Sequence, residues 1–115
     1  MSKILVVDDE QSICWAFVKL GRNMGHEVET AASAEEGLQV VERFSPDLLV
    51  VDVRLPGMDG LSALKHFRRH IGEAPIIVIT AFGALDIAVK AVRGGAFEYI
   101  IKPFDLAEVR SAIER

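Results

Sequence analysis

The stretch KILVVDDE, residues 3–10, contains the pattern on which the fold depends, because an apolar run of strand length ends in a row of acids. Ile4 to Val7 is the first of four such runs, and a weaker fifth strand fits Glu27 to Ala31. The other three runs are Leu48 to Val51, Pro75 to Ile79 and Phe97 to Ile101. Strands that are almost wholly apolar are typical of parallel sheets with helices on both faces.

The segments between the strands have apolar residues at the spacing of a helix. One face of the first helix holds its apolar residues, which are Ile13, Phe17, Leu20 and Met24, and Gly25 closes that helix. Ser33 and Glu36 have the spacing of a capping box at the start of the second helix, and Pro46 ends it. Asp59 can cap a third helix, a fourth runs from about Ala84 to Arg93, and a fifth begins near Asp105. The alternation predicts an α/β fold of (βα)5 type, a doubly wound parallel sheet that occupies residues 1–115 as one domain.

Composition excludes several classes of protein. The 115 residues are 50% hydrophobic, and 13 Lys+Arg against 17 Asp+Glu give a net charge of -4. Clustered positive charge for direct nucleic-acid binding is missing, and no run approaches the roughly 18 apolar residues of a membrane span. A single cysteine, Cys14, cannot form an internal disulfide. We therefore expect a cytoplasmic domain with no membrane contact.

Polar residues follow the strong strands at their carboxyl ends. Asp8-Asp9 follows ILVV, Asp52 follows LLVV, Thr80 follows IIVI and Lys102 follows YII. In a parallel sheet these ends share one edge, which is where open α/β sheets bind ligands. Any one of these residues alone is typical of a turn, a helix cap or a solvated charge. Together they predict a site with three carboxylates, a hydroxyl and an ammonium group.

This set of side chains has a consistent chemistry. Three neighbouring acids repel one another unless a cation offsets their charge, and hard oxygen ligands at an open site suit Mg2+. Asp52 can then attack a phosphorus centre as a carboxylate nucleophile. Thr80 and Lys102 can hold the remaining phosphoryl oxygens.

Four motifs of the sequence occur together: the acids of ILVVDDE, DVRLPGMDG around Asp52, the Thr80-Ala81 pair and KPF at Lys102. With them the chain resembles the receiver domain of two-component response regulators, over Lys3 to about Ile113. The resemblance implies a flavodoxin-like sheet of order 2-1-3-4-5 and phosphorylation of Asp52 by a phosphohistidine on a sensor histidine kinase. It also implies that Asp9 and Asp52 ligate Mg2+ directly, with Asp8 largely through water and the main-chain carbonyl of Arg54 completing the protein ligands.

The resemblance also implies a signalling face. The segment TAFGALDIAVKAVRGGAFEYIIKPFD looks most like the nitrogen-regulation (NtrC-like) activator class, so we expect the N-terminal part of a longer regulator. Its output would control transcription, and DNA would be contacted only by a C-terminal domain absent from this chain. Tyr99 matches the family's switch aromatic. Ile87 lies beside Ala84 and Ala91 on an apolar arc of the fourth helix that we interpret as a partner surface, and we expect homodimerisation on activation.

Three other interpretations fit parts of the pattern. An aspartyl-nucleophile phosphatase also uses a nucleophilic carboxylate and Mg2+. Such enzymes need a second Asp two residues after the nucleophile, however, and this chain has Arg54 there. A flavin module on the same fold needs a phosphate loop after the first strand, where the acids would repel phosphate. A degenerate receiver that acts only by docking is disfavoured because every site element is present. We therefore expect a phosphorylation switch and not an enzyme, apart from its own phosphoryl transfer and autodephosphorylation.

Overall fold

The structure, a computed structural model, describes residues 2–52, 60–81, 98–102, 110, 111 and 113. The five strands are β1 (Lys3–Val7), β2 (Glu27–Ala31), β3 (Leu48–Asp52), β4 (Ile76–Ala81) and β5 (Glu98–Lys102). The three helices with described bounds are α1 (Gln11–Asn23), α2 (Ala34–Phe44) and α3 (Gly60–Ile71). Several predictions fall outside the described residues. They concern Arg54, Asp59, the start of the fifth helix, and the fourth helix with Ala84, Ile87 and Ala91.

The sheet confirms the predicted topology. Its strands lie in the order β2-β1-β3-β4-β5, and every neighbouring pair is parallel. The chain leaves β1 toward β2 on one side and then returns to build β3, β4 and β5 on the other side. Val7, the last residue of β1, is therefore paired with both Ala31 and Val51. The reversal of strand order lies between β1 and β3, which makes the carboxyl ends of these two strands the expected ligand site.

Two apolar layers fill the space between the sheet and its helices. Side chains alternate along β1, so that Leu5 and Val7 join the layer under α2 and α3, while Ile4 and Val6 join the layer under α1. Phe67 of α3 and Phe17 of α1 are the largest fully buried side chains of these layers. Because both faces of the central strands are covered, their apolar sequence is explained by burial on each side.

The helix ends follow the sequence signals. Oγ of Ser33 accepts a hydrogen bond of 3.1 Å from the amide of Glu36, so the predicted N-cap is present. The carboxylate of Glu36 also reaches back, but Oε2 accepts a bond of 3.1 Å from the amide of Ala32, one residue before the N-cap amide that a capping box would use. Gly25 follows α1 with a φ of +87°, as expected of a residue that closes a helix. At the end of α2, Ser45 takes the left-handed conformation with a φ of +51°, as a residue that ends a helix commonly does, and Pro46 follows it.

Three strands extend past the carboxyl ends of their apolar runs, and β3 does so by one residue, Asp52. The ladder between β4 and β5 continues through the pairs Thr80 with Ile101 and Ala81 with Lys102. Strand pairing depends on main-chain hydrogen bonds and not on apolar side chains, so the ladder passes the point where the apolar run stops. Thr80 and Lys102 therefore belong to the last two residue pairs of the ladder between β4 and β5.

Within the part of the chain that the structure describes, no helix combines the length and apolar character needed to cross a membrane.

Candidate functional site

Two buried acids lie at the carboxyl ends of neighbouring strands. Asp52 is the last residue of β3 and is 5% exposed, and Asp8 directly follows β1 and is 1% exposed. The amide of Asp8 donates a hydrogen bond of 3.0 Å to the carbonyl of Ala31, which extends the pairing of β1 with β2 by one residue. The topological switch point thus carries two carboxylates that are almost wholly removed from solvent.

A tight turn joins β1 to α1 and brings a third acid to the site. Oδ1 of Asp8 accepts a hydrogen bond of 2.9 Å from the amide of Glu10, two residues further on. The carbonyl of Glu10 accepts bonds of 3.1 Å from the amide of Ile13 and 3.2 Å from that of Cys14, which start α1. The thiol of Cys14 donates back to the carbonyl of Asp8 at 3.2 Å. The turn is therefore fixed at both of its ends.

The carboxylates of Asp8, Glu10 and Asp52 form one group, in which an oxygen from each lies within 4.8 Å of the others. Like charges at this distance repel strongly in a site of low polarity, so the arrangement favours the binding of a positive ion. All of the donors are hard carboxylate oxygens, and Glu10 is exposed while the other two are buried. This donor set fits Mg2+ or a similar divalent cation, which prefers oxygen ligands and keeps part of its water shell.

Of the three predicted acids, the structure brings two together. Among the described residues, the carboxylate group contains Asp8 and Asp52 but not Asp9, which is exposed. Glu10 was missed as a site residue from sequence. The signal that would have found it is its position two residues after Asp8, because an Asp side chain commonly accepts the amide two residues later and so bends the chain back.

The other predicted site residues are placed by the main chain. Thr80 follows Ile79, the register partner of Asp52, and Lys102 is the register partner of Ala81. Both therefore lie at the same edge of the sheet as Asp52. Tyr99 is in β5 opposite Val78, three residues before Lys102.

A cleft of about 380 Å3 opens beside the acids, between the first turns of α1 and the connection from β2 to α2. Asp8 and Asp9 line one side of it, and Trp15 and Cys14 line another. Trp15 is 64% exposed, and its ring lies 4.9 Å from Nζ of Lys19. The single tryptophan of the chain is thus adjacent to the acids and can report on events there.

Comparison with known proteins agrees with this geometry. The sequence profile of the response regulator receiver domain matches residues 4–114. The chain belongs to this family. The chain is 37% identical over 115 residues to the regulatory protein AtoC of Escherichia coli (strain K12), and the alignment covers 100% of this chain and 25% of AtoC. It is 39% identical over 112 residues to the DNA-binding transcriptional regulator NtrC of the same organism, covering 97% of this chain and 24% of that one.

A solved structure leads to the same family. The crystal structure of NtrX from Brucella abortus superimposes with a TM-score of 0.94 at 34% identity, and the match covers 99% of this chain and 26% of that chain. The receiver domain spans about a quarter of the length of the curated relatives it matches. It is thus the receiver domain of a two-component response regulator related to NtrC-like transcriptional activators, which favours the predicted receiver over the phosphatase and flavin alternatives.

Proposed function

We propose that this receiver domain accepts a phosphoryl group on Asp52 from a phosphohistidine of a sensor histidine kinase, in a reaction that depends on Mg2+. The observation that carries the proposal is the position of Asp52. Its carboxylate is 5% exposed, ends the central strand β3 and is grouped with those of Asp8 and Glu10. Membership in the receiver family supports the same assignment.

The proposed step is a transfer between two nucleophiles. A carboxylate oxygen of Asp52 forms the new O–P bond while the N–P bond of the phosphohistidine breaks, and the bonding pair stays on the imidazole nitrogen. The buried setting of Asp52 restricts the access of water to the acyl phosphate that results. The domain thereby acts on its own side chain, and its only catalysis is this transfer and the later autodephosphorylation.

The acids of the site fit a divalent cation because they offer only oxygen donors of negative charge. When bound, Mg2+ supplies positive charge that offsets the carboxylates and the oxygens of the incoming phosphoryl group. We assign the protein ligands as predicted from the family: Asp9 and Asp52 directly, Asp8 largely through water, and the main-chain carbonyl of Arg54.

Thr80 and Lys102 complete the proposed phosphoryl site. The register of β4 and β5 supports these roles, since Thr80 directly follows the partner of Asp52 and Lys102 is opposite Ala81. The ammonium group of Lys102 and the hydroxyl of Thr80 would bind phosphoryl oxygens. Once the hydroxyl has moved to the phosphoryl group, Tyr99 of β5 would turn inward.

The proposed output is control of transcription by a longer regulator. The curated relatives AtoC and NtrC are about four times as long as this chain, and NtrC is named as a DNA-binding regulator. Phosphorylation would change the face formed by the fourth helix, β5 and the fifth helix, with Ala84, Ile87 and Ala91 as the partner surface and a homodimer as the active form. DNA contact would come from a further C-terminal domain, and the protein would work in the cytoplasm.

Labelling by a small phosphodonor tests the assignment. The protein incubated with acetyl phosphate and Mg2+ should gain the mass of one phosphoryl group, and chelation with EDTA should prevent the gain. Asp52→Asn should abolish the labelling, while Glu42→Gln, which removes a charge from an exposed position of α2, should leave it unchanged. Undiminished labelling of Asp52→Asn would contradict the proposal.

A further inference from the structure

The outer faces of α2 and α3 lie side by side and carry opposite charges. Both helices pack on one apolar layer, and they approach so closely that a Cβ atom at Gly37 of α2 would lie 3.0 Å from Cζ of Phe67 of α3. The exposed acids of α2 are Glu35, Glu36 and Glu42. The exposed basic side chains of α3 are Lys65, His66, Arg69 and His70.

The charges of this face are not matched within the copy. Among the residues that the structure describes, Glu42, Lys65 and Arg69 take part in no ion pair. Arg43 is the one basic residue of α2, and its Nη1 donates to Oε1 of Glu29 in β2 at 2.9 Å, so that its charge is offset there. The face therefore has a negative half on α2 and a positive half on α3.

Glu42 and Arg69 stand at the same level of the two helices. α2 ends at Phe44 and α3 ends at Ile71, so each of the two residues is two positions before the end of its helix. Both helices lead by short connections into neighbouring strands of one parallel sheet, β3 and β4. The helices therefore run in the same direction and end at the same edge of the sheet.

We propose that this face binds the same face of a second copy of the chain. The interaction goes beyond the proposed function and needs no phosphoryl group. A two-fold axis parallel to the helices places α2 of each copy against α3 of the other, whereas an axis across the helices would bring like charges together. In the first arrangement Glu42 of each copy lies opposite Arg69 of the other, and symmetry makes this pair occur twice.

The contact is small and electrostatic, and this sets its strength. Helices of 11 and 12 residues are about 17 Å long and together about 20 Å wide, so the shared face covers about 350 Å2. Stable complexes bury about 800 Å2 on each partner. We therefore expect a reversible dimer with a Kd of about 100 µM that dissociates when salt screens the charges. Receivers tethered in one assembly meet at about millimolar effective concentration, where such a contact forms.

Sedimentation equilibrium of the unphosphorylated protein tests the contact. At about 0.01 M salt, the average mass of the wild type should rise between about 10 µM and about 500 µM protein, and at about 1 M salt it should stay that of a monomer. Arg69→Glu and Glu42→Arg each set like charges opposite one another. Each variant alone should therefore raise the Kd at least about tenfold.

The matched control is Arg22→Glu. It makes the same change at an exposed position in the last turn of α1, as Arg69→Glu does in the last turn of α3, and it should leave the Kd unchanged. Circular dichroism of each variant establishes that the fold is intact.

A mixture of the two variants separates this contact from a pair within one copy. When the Arg69→Glu protein meets the Glu42→Arg protein, an acid lies opposite a base in both halves of the interface. The mixture should therefore associate with about the wild-type Kd. A pair between α2 and α3 of the same copy is broken in each variant, and mixing does not restore it.

Each outcome has a definite meaning. Salt-sensitive association of the wild type, its loss in both variants and its return in the mixture support the proposal. A wild type that stays monomeric at low salt overturns it. Association that survives high salt or either substitution, or that fails to return in the mixture, also overturns it. Phosphorylation of Asp52 is tested separately, by labelling with acetyl phosphate.

Discussion

The amide of Glu10 donates a hydrogen bond of 2.9 Å to Oδ1 of Asp8. The bond lies in the turn at the end of β1, where the carboxylates of the first acid after the strand and of the residue that precedes α1 lie in one group. It also gives Asp8 two tasks, since the side chain that contributes charge to the site also shapes the turn. The two tasks can be separated by substitution.

Asp8→Asn and Asp8→Ala should differ in stability. Asparagine keeps an acceptor for the amide of Glu10 and removes a charge that repels Asp52, so we expect its free energy of unfolding in EDTA to equal or exceed that of the wild type. Alanine leaves the amide of Glu10 without its partner, which costs about 1–3 kcal/mol. Urea unfolding monitored by circular dichroism measures both. Equal losses in the two variants would show that the turn does not depend on this bond.

Asp52→Asn should stabilise the metal-free protein. The carboxylates of Asp8, Glu10 and Asp52 lie within 4.8 Å of one another, and removing one charge relieves repulsion worth about 1 kcal/mol or more. Mg2+ should raise the melting temperature of the wild type through binding to the folded state, and should do so much less for the variant. Thermal unfolding in EDTA and in Mg2+ gives both comparisons. A variant that melts below the wild type in EDTA would argue against repulsion at the site.

Ser33→Ala should destabilise the domain by about 1 kcal/mol. The hydroxyl of Ser33 accepts the amide of Glu36 at 3.1 Å, and that amide has no helical partner in the first turn of α2. Ser33→Asp keeps an acceptor at the same place and should retain stability. Ser12→Ala, at an exposed position of α1, is the control. The midpoint of urea unfolding measures the stability of each variant. A loss of stability in Ser33→Asp as large as that in Ser33→Ala would contradict the capping role of Ser33.

Much of the architecture could be predicted from local signals. The N-cap bond between Ser33 and Glu36 depends on two residues three positions apart, and the carboxyl ends of the strands are marked by the change from apolar residues to acids. Asp8 and Asp52 were placed correctly because a parallel sheet brings such ends to one edge. These features need only the order of residues and the geometry of one element.

The third carboxylate could not be predicted in this way. Asp9 and Glu10 both follow Asp8, and strand alternation ends before them, so the sequence pattern does not state which side chain turns toward Asp52. In the structure the carboxylate of Glu10 lies with those of Asp8 and Asp52, and the amide of Glu10 donates to Oδ1 of Asp8; both are properties of the folded turn. The carboxyl ends of β3, β4 and β5 also lie beyond the predicted runs, because main-chain pairing continues through Asp52, Thr80 and Lys102.

Gly37→Ala should destabilise the domain by about 1–3 kcal/mol, although alanine favours helices more than glycine does. A Cβ atom at Gly37 would lie 2.9 Å from Cγ2 of Val7 and 3.0 Å from Cζ of Phe67, both of which are fully buried. The position of α2 against β1 and α3 therefore requires the absence of a side chain. Gln39→Ala, an exposed site of the same helix, should be neutral. Chemical unfolding tests this, and a Gly37→Ala protein as stable as the wild type would contradict the close approach.

Chemical trapping of the phosphorylated residue tests the central claim most directly. After acetyl phosphate treatment with Mg2+, borohydride reduces an acyl phosphate to an alcohol, and peptide mass spectrometry then locates the reduced side chain. We predict that residue 52 is converted from aspartate to homoserine, and that no conversion occurs without phosphodonor. Conversion at Asp8, Asp9 or any other acid in place of Asp52, or no conversion at all, would contradict the account.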